Sequence, residues 1–344
     1  MKVFIAIVLI IFTVIVIIFV TPIINRQSPQ AAATGGTLYK SEDDGENWQG
    51  ISKFQGGDIS KILIDAEDKD FLIIGTSKRG LWRVHRDGSE VTRYLEALGD
   101  GAKISNILNP AYSRNLRALT FYQKRGHVIS YVGDKQKELL FAPLDNFGFI
   151  SGFEFGGGRV IKIAGSDGSL FQSTDKGEAW EVIARFGEGI AFMEVNPENF
   201  NEIWVVNGKG SLYHSEDGGR DWEDFTRSLN NFSNSKKTRA IAYDAKSGTF
   251  YHASNYGLLK SFDNGRNFEQ VKMTVPPSSL PITAIAANPT SNEKIYAASL
   301  NQLFISDDAG QTWRSRRLNV KGVISQILLD PSNSRRIFIG LSGL

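Results

Sequence analysis

Five segments of this chain fit one template, Ser-x-Asp-x-Gly-x-x-Trp/Phe, and their recurrence constrains the fold more than any other property of the sequence. They are SEDDGENW from Ser41, STDKGEAW from Ser173, SEDGGRDW from Ser215, SFDNGRNF from Ser261 and SDDAGQTW from Ser306. At ordinary residue frequencies one such match is expected in about one chain in a hundred or fewer, so five mark an internal repeat. Each follows a short strand pattern: TLYK, SLFQ, SLYH, LLKS and QLFI.

Spacing sets the number of repeats. From the second box to the fifth the interval is about 44 residues, the length of a four-stranded propeller blade. Ser41 and Ser173 stand 132 residues apart, three such periods. Two degenerate copies are therefore expected between them. One is GLWRVHRDG, with Leu81-Trp82 in the place of Leu38-Tyr39 and Asp87-Gly88 at the turn; the other is HVISYVGDKQ around Ser130. A second turn repeats independently at Asp65-Ala66, Asn109-Pro110, Asn196-Pro197, Asp244-Ala245, Asn288-Pro289 and Asp330-Pro331, with Gly156-Gly157-Gly158 standing for the seventh. Asx and Pro preset a tight turn and Gly supplies positive φ, so the substitution makes physical sense.

Both counts give seven. Each unit reads as strand A, Asx-Pro turn, strand B, Gly-containing loop, strand C, box and strand D. The expected fold is all-β, a seven-bladed β-propeller with Asp-box hairpins over residues 37–344. The repeat phase begins on a strand C (Thr37 to Lys40) and ends after a strand B (Arg336 to Leu341). Residues 322–341 are thus expected to supply the A and B strands that residues 37–54 lack, closing the ring through a composite blade made from both termini.

Within a box the Asp accepts backbone N–H groups of its own hairpin, the Gly takes a left-handed conformation and the aromatic ring packs between sheets. This assigns a structural role to Ser41, Asp43, Gly45 and Trp48; to Ser173, Asp175, Gly177 and Trp180; and to Ser215, Asp217, Gly219 and Trp222. Ser261, Asp263, Gly265 and Phe268, then Ser306, Asp308, Gly310 and Trp313, complete the set. None shows the D-x-D-x-D-G calcium spacing with a distant Glu. Cys is absent and His85, His127, His214 and His252 fall in different repeats, so no metal and no cofactor is expected.

After Met1 and Lys2 the run from Val3 to Ile24 carries no charge and is long enough to cross a hydrocarbon core of about 30 Å. It exceeds the apolar stretch of a cleaved signal and reads as a transmembrane helix, a signal-anchor over residues 1–24 with membrane contact through 3–24. Residues 25–36 (NRQSPQAAATGG) read as a flexible tether. Lys2 on one side and Arg26 followed by Glu42, Asp43 and Asp44 on the other favour a single pass of the cell membrane, N-terminus cytoplasmic and propeller outside. Lys and Arg number 39 against 37 Asp and Glu, a net charge of +2, which demotes nucleic acid as a partner.

The boxes resemble the Asp-box, or BNR, repeat family of β-propellers, over nearly all of residues 37–344. The family includes sialidases, xyloglucanase-type glycoside hydrolases, sortilin-type receptors and photosystem II assembly and stability factors. A single seven-bladed ring behind one N-terminal targeting element is most similar to the last group. The resemblance implies the fold, whereas function lives in sites placed on it. The sialidase Arg-Ile/Val-Pro tripeptide is missing, since Arg159-Val160-Ile161 lacks the Pro. Xyloglucanase-type enzymes use a cleft between two propellers, and sortilin-type receptors carry a Cys-rich module; neither is found here. Nothing in the sequence points to a photosynthetic host.

Ligands are expected on the face made by the B–C and D–A loops, around the channel and opposite the boxes. The candidate binding residues there are Lys78, Arg79, Lys124, Arg125, His127, Lys209 and Tyr256, beside the long D–A loops 226–238 and 274–281. Asp100, Asp145, Asp167 and Glu188 are the acids available for glycosidase chemistry, which needs two carboxylates about 5 to 9.5 Å apart. Arg314, Arg316 and Arg317, with Arg335 and Arg336 nearby, form a second basic feature expected on an exposed outer strand. No catalytic residue is assigned. The reading is a membrane-anchored, extracytoplasmic, non-enzymatic module that binds a protein partner on its loop face, in the manner of an assembly factor. The alternative is a glycan-binding or glycoside-hydrolase-like propeller.

Overall fold

A computed structural model describes residues 37–94, 101–108, 115–132, 135–289, 291 and 293–343. The expected anchor and tether, Asp100 and the Asn109-Pro110 turn lie outside these. Among the described residues no helix is long and apolar enough to cross a membrane.

The chain enters at β1 (Leu38–Ser41) and β2 (Gln49–Gly50) and then lays down complete blades. Blade 1 is β3 (Ile59–Ile64), β4 (Phe71–Thr76), β5 (Leu81–His85) and β6 (Val91–Arg93). Blade 2 is β7 (Lys103–Leu108), β8 (Leu116–Tyr122), β9 (Arg125–Val132) and β10 (Lys135–Phe141), so both degenerate copies form blades. Blade 3 is β11 (Phe149–Phe155), β12 (Val160–Gly165), β13 (Ser169–Ser173) and β14 (Glu181–Arg185). Blade 4 is β15 (Ile190–Asn196), β16 (Asn199–Asn207), β17 (Leu212–Ser215) and β18 (Glu223–Asp224). Blade 5 is β19 (Thr238–Asp244), β20 (Thr249–Ser254), β21 (Leu258–Ser261) and β22 (Glu269–Gln270). Blade 6 is β23 (Ala284–Ala287), β24 (Ile295–Ser299), β25 (Gln302–Ser306) and β26 (Arg314–Arg317).

The last two strands, β27 (Val323–Asp330) and β28 (Asn333–Ser342), join the first two in a sheet of order β2-β1-β28-β27. This is the composite blade 7. The register Leu38↔Gly340, Tyr39↔Ile339, Lys40↔Phe338 and Ser41↔Ile337 seals the ring, with Leu341 N–H donating to Thr37 O at 2.8 Å.

The strands are amphipathic about their sheets, and the apolar faces meet between blades. Tyr39, Ile337, Ile339 and Leu341 pack on Tyr296, Leu303 and Ile305 of blade 6. On the other side Leu38 and Phe338 pack on Ile59, Ile62, Leu72 and Ile74 of blade 1. The box aromatics fill the same interfaces, Trp48, Trp180, Trp222, Phe268 and Trp313 each against a different cluster.

The seal also carries charge, which corrects the reading of the second arginine cluster. Arg314 and Arg316 on β26 reach across to the first box, where Arg314 binds Asp44 and Glu46 and Arg316 binds Glu46. Lys294 Nζ and the Tyr296 hydroxyl also donate to Asp44, at 2.7 and 2.5 Å. Arg336 pairs with Glu42 and Asp330, and Arg86 of blade 1 reaches the same Asp330. These arginines are half-buried because the N-terminal box brings a concentrated set of acids against them; Arg317 and Arg335 are exposed.

Ile339 is fully buried in the sealing register. Ile339→Ala is expected to lower the free energy of urea unfolding by about 2–5 kcal/mol. Val182→Ala, on the outer strand β14 and 40% exposed, should cost within about 0.5 kcal/mol in the same assay.

Candidate functional site

The Asp boxes occupy the face opposite the B–C loops, and their chemistry is directed inward. In all five, the serine hydroxyl donates to Asp Oδ1 and accepts the glycine N–H, with distances of 2.8 to 2.9 Å. The same Asp oxygen accepts the N–H of Asn47, Ala179, Asp221, Asn267 or Thr312 at 2.8 to 3.0 Å. The four box tryptophans return Nε1–H to the carbonyl of their own box glycine. Two left-handed residues in succession make the bend, as in Asp44 (φ 64°) and Gly45 (φ 81°). Hydrogen bonding holds Asp308 down at about 2, chiefly through Thr312, and lowers Asp175 and Asp217. For Asp43 and Asp263 burial pulls upward, and bonds from Asn47 and Asn267 outweigh it. The serine hydroxyl and aspartate carboxylate of each box are thus consumed in their own hairpin.

The opposite face carries the B–C and D–A loops. Lys78, Arg79, Lys124 and Lys209 are exposed there, with Arg79 Nη1 bonded to Gln55 O at 2.8 Å. Arg125 and His127 lie in strand β9 rather than in a loop. Arg125 pairs with Asp145 at 2.9 Å, while His127 Nδ1 meets Glu138 Oε2 at 2.6 Å and Nε2 meets the Tyr122 carbonyl. His127 is therefore a strand residue held by its neighbours. Tyr256 is half-buried, bonds Gln270 through its hydroxyl and sits edge-on to Phe232. It walls an apolar crevice with Met273, Val275, Pro276, Pro277 and Leu280.

The acids of this face are already matched. Asp145 pairs with Arg125, Asp167 with Arg185, and Glu188 with Lys209. Asp167 also accepts the Ser169 N–H and hydroxyl, an ordinary turn arrangement. A glycosidase needs one carboxyl kept protonated beside a second ionised one. Pairing each acid with its own cation works against that.

The central channel was not anticipated as a site. Strands β3, β7, β11, β15, β19, β23 and β27 surround a cavity of about 400 Å³. Six of these strands break register at their second channel residue, for example between Ile59 and Lys61, Ile104 and Asn106, and Ile324 and Gln326. In β23, Thr283 and Ala284 share the partner Ala298, which completes the ring. Each bulge adds one residue at the loop-face mouth: Ser60, Ser105, Ile150, Ala191, Arg239, Thr283 and Ser325. The sequence signal is the Ile-Ser or Ile-Thr pair opening strand A at Ile59, Ile104, Ile282 and Ile324. The bulge hydroxyls tie blades together, Thr283 Oγ1 donating to Ile324 O at 2.8 Å and Ser325 Oγ to Ile59 O at 3.1 Å.

Three charged residues line this channel: Arg239 at its mouth, bonded to Asn255, and further in two opposite charges, Lys61 on β3 and Glu194 on β15. Each is ringed by strand backbone, and burial dominates both. It pushes Glu194 up to about 7, against the pull of Lys61 and a Tyr243 N–H, and it pushes Lys61 down, against the pull of Glu194. Among the described residues no set of three or more His, Asp or Glu is placed to hold a metal ion.

The BNR/Asp-box repeat pattern matches residues 304–315. No curated protein matches the chain. Among solved structures, YCF48 bound to D1 peptide is similar with a TM-score of 0.66 at 14% identity, covering 92% of this chain and 99% of that one. YCF48 from Cyanidioschyzon merolae gives 0.62 at 13%, covering 83% and 96%. The GH74 xyloglucanase from Xanthomonas campestris gives 0.67 at 16% over 84% of this chain, which spans only 51% of that enzyme. At these identities the likeness is one of fold.

Ser261→Ala strips the buried Gly265 N–H of its acceptor and should cost about 1–3 kcal/mol in urea unfolding. Glu194 is raised above its unfolded value of about 4.3, so its stabilising effect is present below that value and is lost as pH rises through about 7. Glu194→Leu is therefore expected to gain stability relative to the parent progressively between about pH 4 and 7, read from urea midpoints across that range.

Proposed function

We propose that this chain is a membrane-tethered, non-enzymatic propeller whose loop face, held outside the cytoplasm, docks a protein partner. The observation that carries the reading is a set of exposed loop-face cations with no ion-pair partner among the described residues. The loop face presents Lys78, Arg79, Lys103, Lys124, Lys236, Lys237 and Lys321 to solvent, while Asp145, Asp167 and Glu188 on that face are each ion-paired. On the box face the exposed acids Glu42, Glu46, Asp70, Glu178, Glu198, Glu216 and Asp307 are each met by a lysine or arginine. The loop-face cations are thus available to meet an acidic surface. Leu144 (69% exposed), Phe141 (53%) and Leu280 (36%) add uncovered apolar area to the basic side, the combination found at docking surfaces.

Where the chain enters supports the orientation. Thr37 sits on the loop face, its hydroxyl donating to Gly57 O at 2.7 Å in the β2–β3 connection. Residues 25–36, read as a flexible tether, span roughly 20 Å root-mean-square. An anchor at residues 3–24 therefore holds the basic face toward the bilayer, where a partner resident at the membrane surface meets it. A protein of the same fold, YCF48, is known bound to a D1 peptide, which is consistent with a polypeptide ligand for such a ring.

The test is site-specific photo-crosslinking of the full-length protein in its own membrane from position 124. One enriched protein adduct is expected, reduced by about tenfold or more by Lys78→Glu with Arg79→Glu and unchanged by Lys69→Glu on the box face. An adduct pattern indifferent to the loop-face reversal overturns the reading. So does release of reducing sugar from a glycan panel that disappears in Asp167→Asn or Glu188→Gln.

A further inference from the structure

The seven copies of strand A give an internal standard for the channel. At the position of Glu194 the other blades carry Leu63, Leu108, Phe153, Ala242, Ala286 and Leu328. At the position of Lys61 they carry uncharged residues, among them Asn106, Ser151 and Gln326. A carboxylate and an ammonium have therefore been placed in a ring whose repeat needs neither for folding. Departures from local rules without a structural return mark functional positions.

The two charges attract one another across the channel without forming an ion pair. They stand three blades apart, on β3 and β15, and no ion pair within 4 Å joins either to a described residue. The bulge hydroxyl of Ser60, beside Lys61, is buried and has no hydrogen-bond partner. Two half-buried charges held apart in a cavity of about 400 Å³ describe a site lacking its ligand's groups. Charge sign and order fix the chemistry. Lys61 lies nearer the loop-face mouth, and Glu194 is two residues further along its strand, about 7 Å deeper. That offset favours a ligand whose two charges stand further apart than those of an α-amino acid. A dipeptide meets this, with its ammonium toward Glu194 and its carboxylate toward Lys61.

We propose that the central channel is a binding site for short zwitterionic peptides, entered amine-first from the loop face, with Glu194 and Lys61 as the two charge receptors. This site is separate from the outer loop surface assigned to the protein partner.

The experiment is calorimetric titration of the purified full-length protein with glycylglycine, N-acetylglycylglycine, glycylglycinamide and glycine, above neutral pH so that Glu194 is ionised. Saturable binding of glycylglycine is expected. N-acetylation and Glu194→Gln should each weaken it by about tenfold or more, and so should C-terminal amidation and Lys61→Met. The blocked peptides should lose little further affinity in the variant lacking the matching receptor. Glu194→Leu, which takes the residue of blades 1, 2 and 7, supplies a folded control if Glu194→Gln is unstable. Absence of saturable binding of glycylglycine, glycine binding equally well, or binding indifferent to both substitutions overturns the proposal.

Discussion

The ring exists because residues at opposite ends of the chain hydrogen-bond to each other. Strands β1 and β28 pair over Leu38 to Ser41 against Ile337 to Gly340, and all later geometry assumes that this contact holds. An open array of six sheets would leave the apolar flanks of blades 1 and 6 uncovered. The composite blade covers both flanks at once, with Phe338 turned to blade 1 and Tyr39 and Ile339 to blade 6. A chain without cysteine has no covalent substitute for this seal. It adds charge instead, placing Asp44, Glu42 and Glu46 of the first box within reach of arginines nearly three hundred residues away in sequence.

How much of this was legible depends on where the information is held. The boxes show in the sequence because their hydrogen bonds need a hydroxyl, a carboxylate, a left-handed glycine and an indole at fixed offsets, so the backbone problem leaves a side-chain signature. Closure was legible for a related reason, since the phase of the repeat at Thr37 and at Leu341 leaves complementary half-blades. The channel bulges are different. A bulge is a property of pairing register, and residues as unlike as Ser60, Ile150 and Arg239 occupy it, so only the short Ile-Ser and Ile-Thr pairs hint at it. His127 was misplaced because its strand begins directly after a two-residue connection at Gln123 and Lys124, both left-handed, where a polar run reads as a longer loop.

Lys61 and Glu194 could have been found by aligning the seven strands A on one another. Inside ISKILI and IAFMEVN they look like incidental charges on amphipathic strands. Only when the seven copies are superposed does each stand out against uncharged equivalents. Repeat proteins thus carry their own comparison set, and deviations within it separate residues that serve the fold from residues that burden it. The faces divide in the same sense. The box serines and aspartates are spent on hairpins, while the loop face carries the long connections and the exposed Leu144 and Phe141.

The same logic explains the A–B turn that has no Asx. In blade 1, Asp65 caps its own turn through the Glu67 N–H and receives Arg83; in blade 7, Asp330 caps the Ser332 N–H and receives Arg86 and Arg336. One carboxylate there both bends the chain and neutralises an arginine. In blade 3 the bend passes to Gly156, Gly157 and Gly158, all at positive φ, and the carboxylate moves two residues upstream to Glu154. There it binds Arg117 of blade 2 in a pair whose side chains are 0% and 2% exposed. Burial raises the Glu154 pKa and Arg117 opposes it. Removing either partner would strand a buried charge, at a cost of about 3–5 kcal/mol. Gly158 is required twice over, for its φ of 78° and because a Cβ there would stand 2.7 Å from Arg117 Nη1. The glycines are therefore more than a substitute turn: they make room for an ion pair that moves the charge of the Asx position into the interface between two blades.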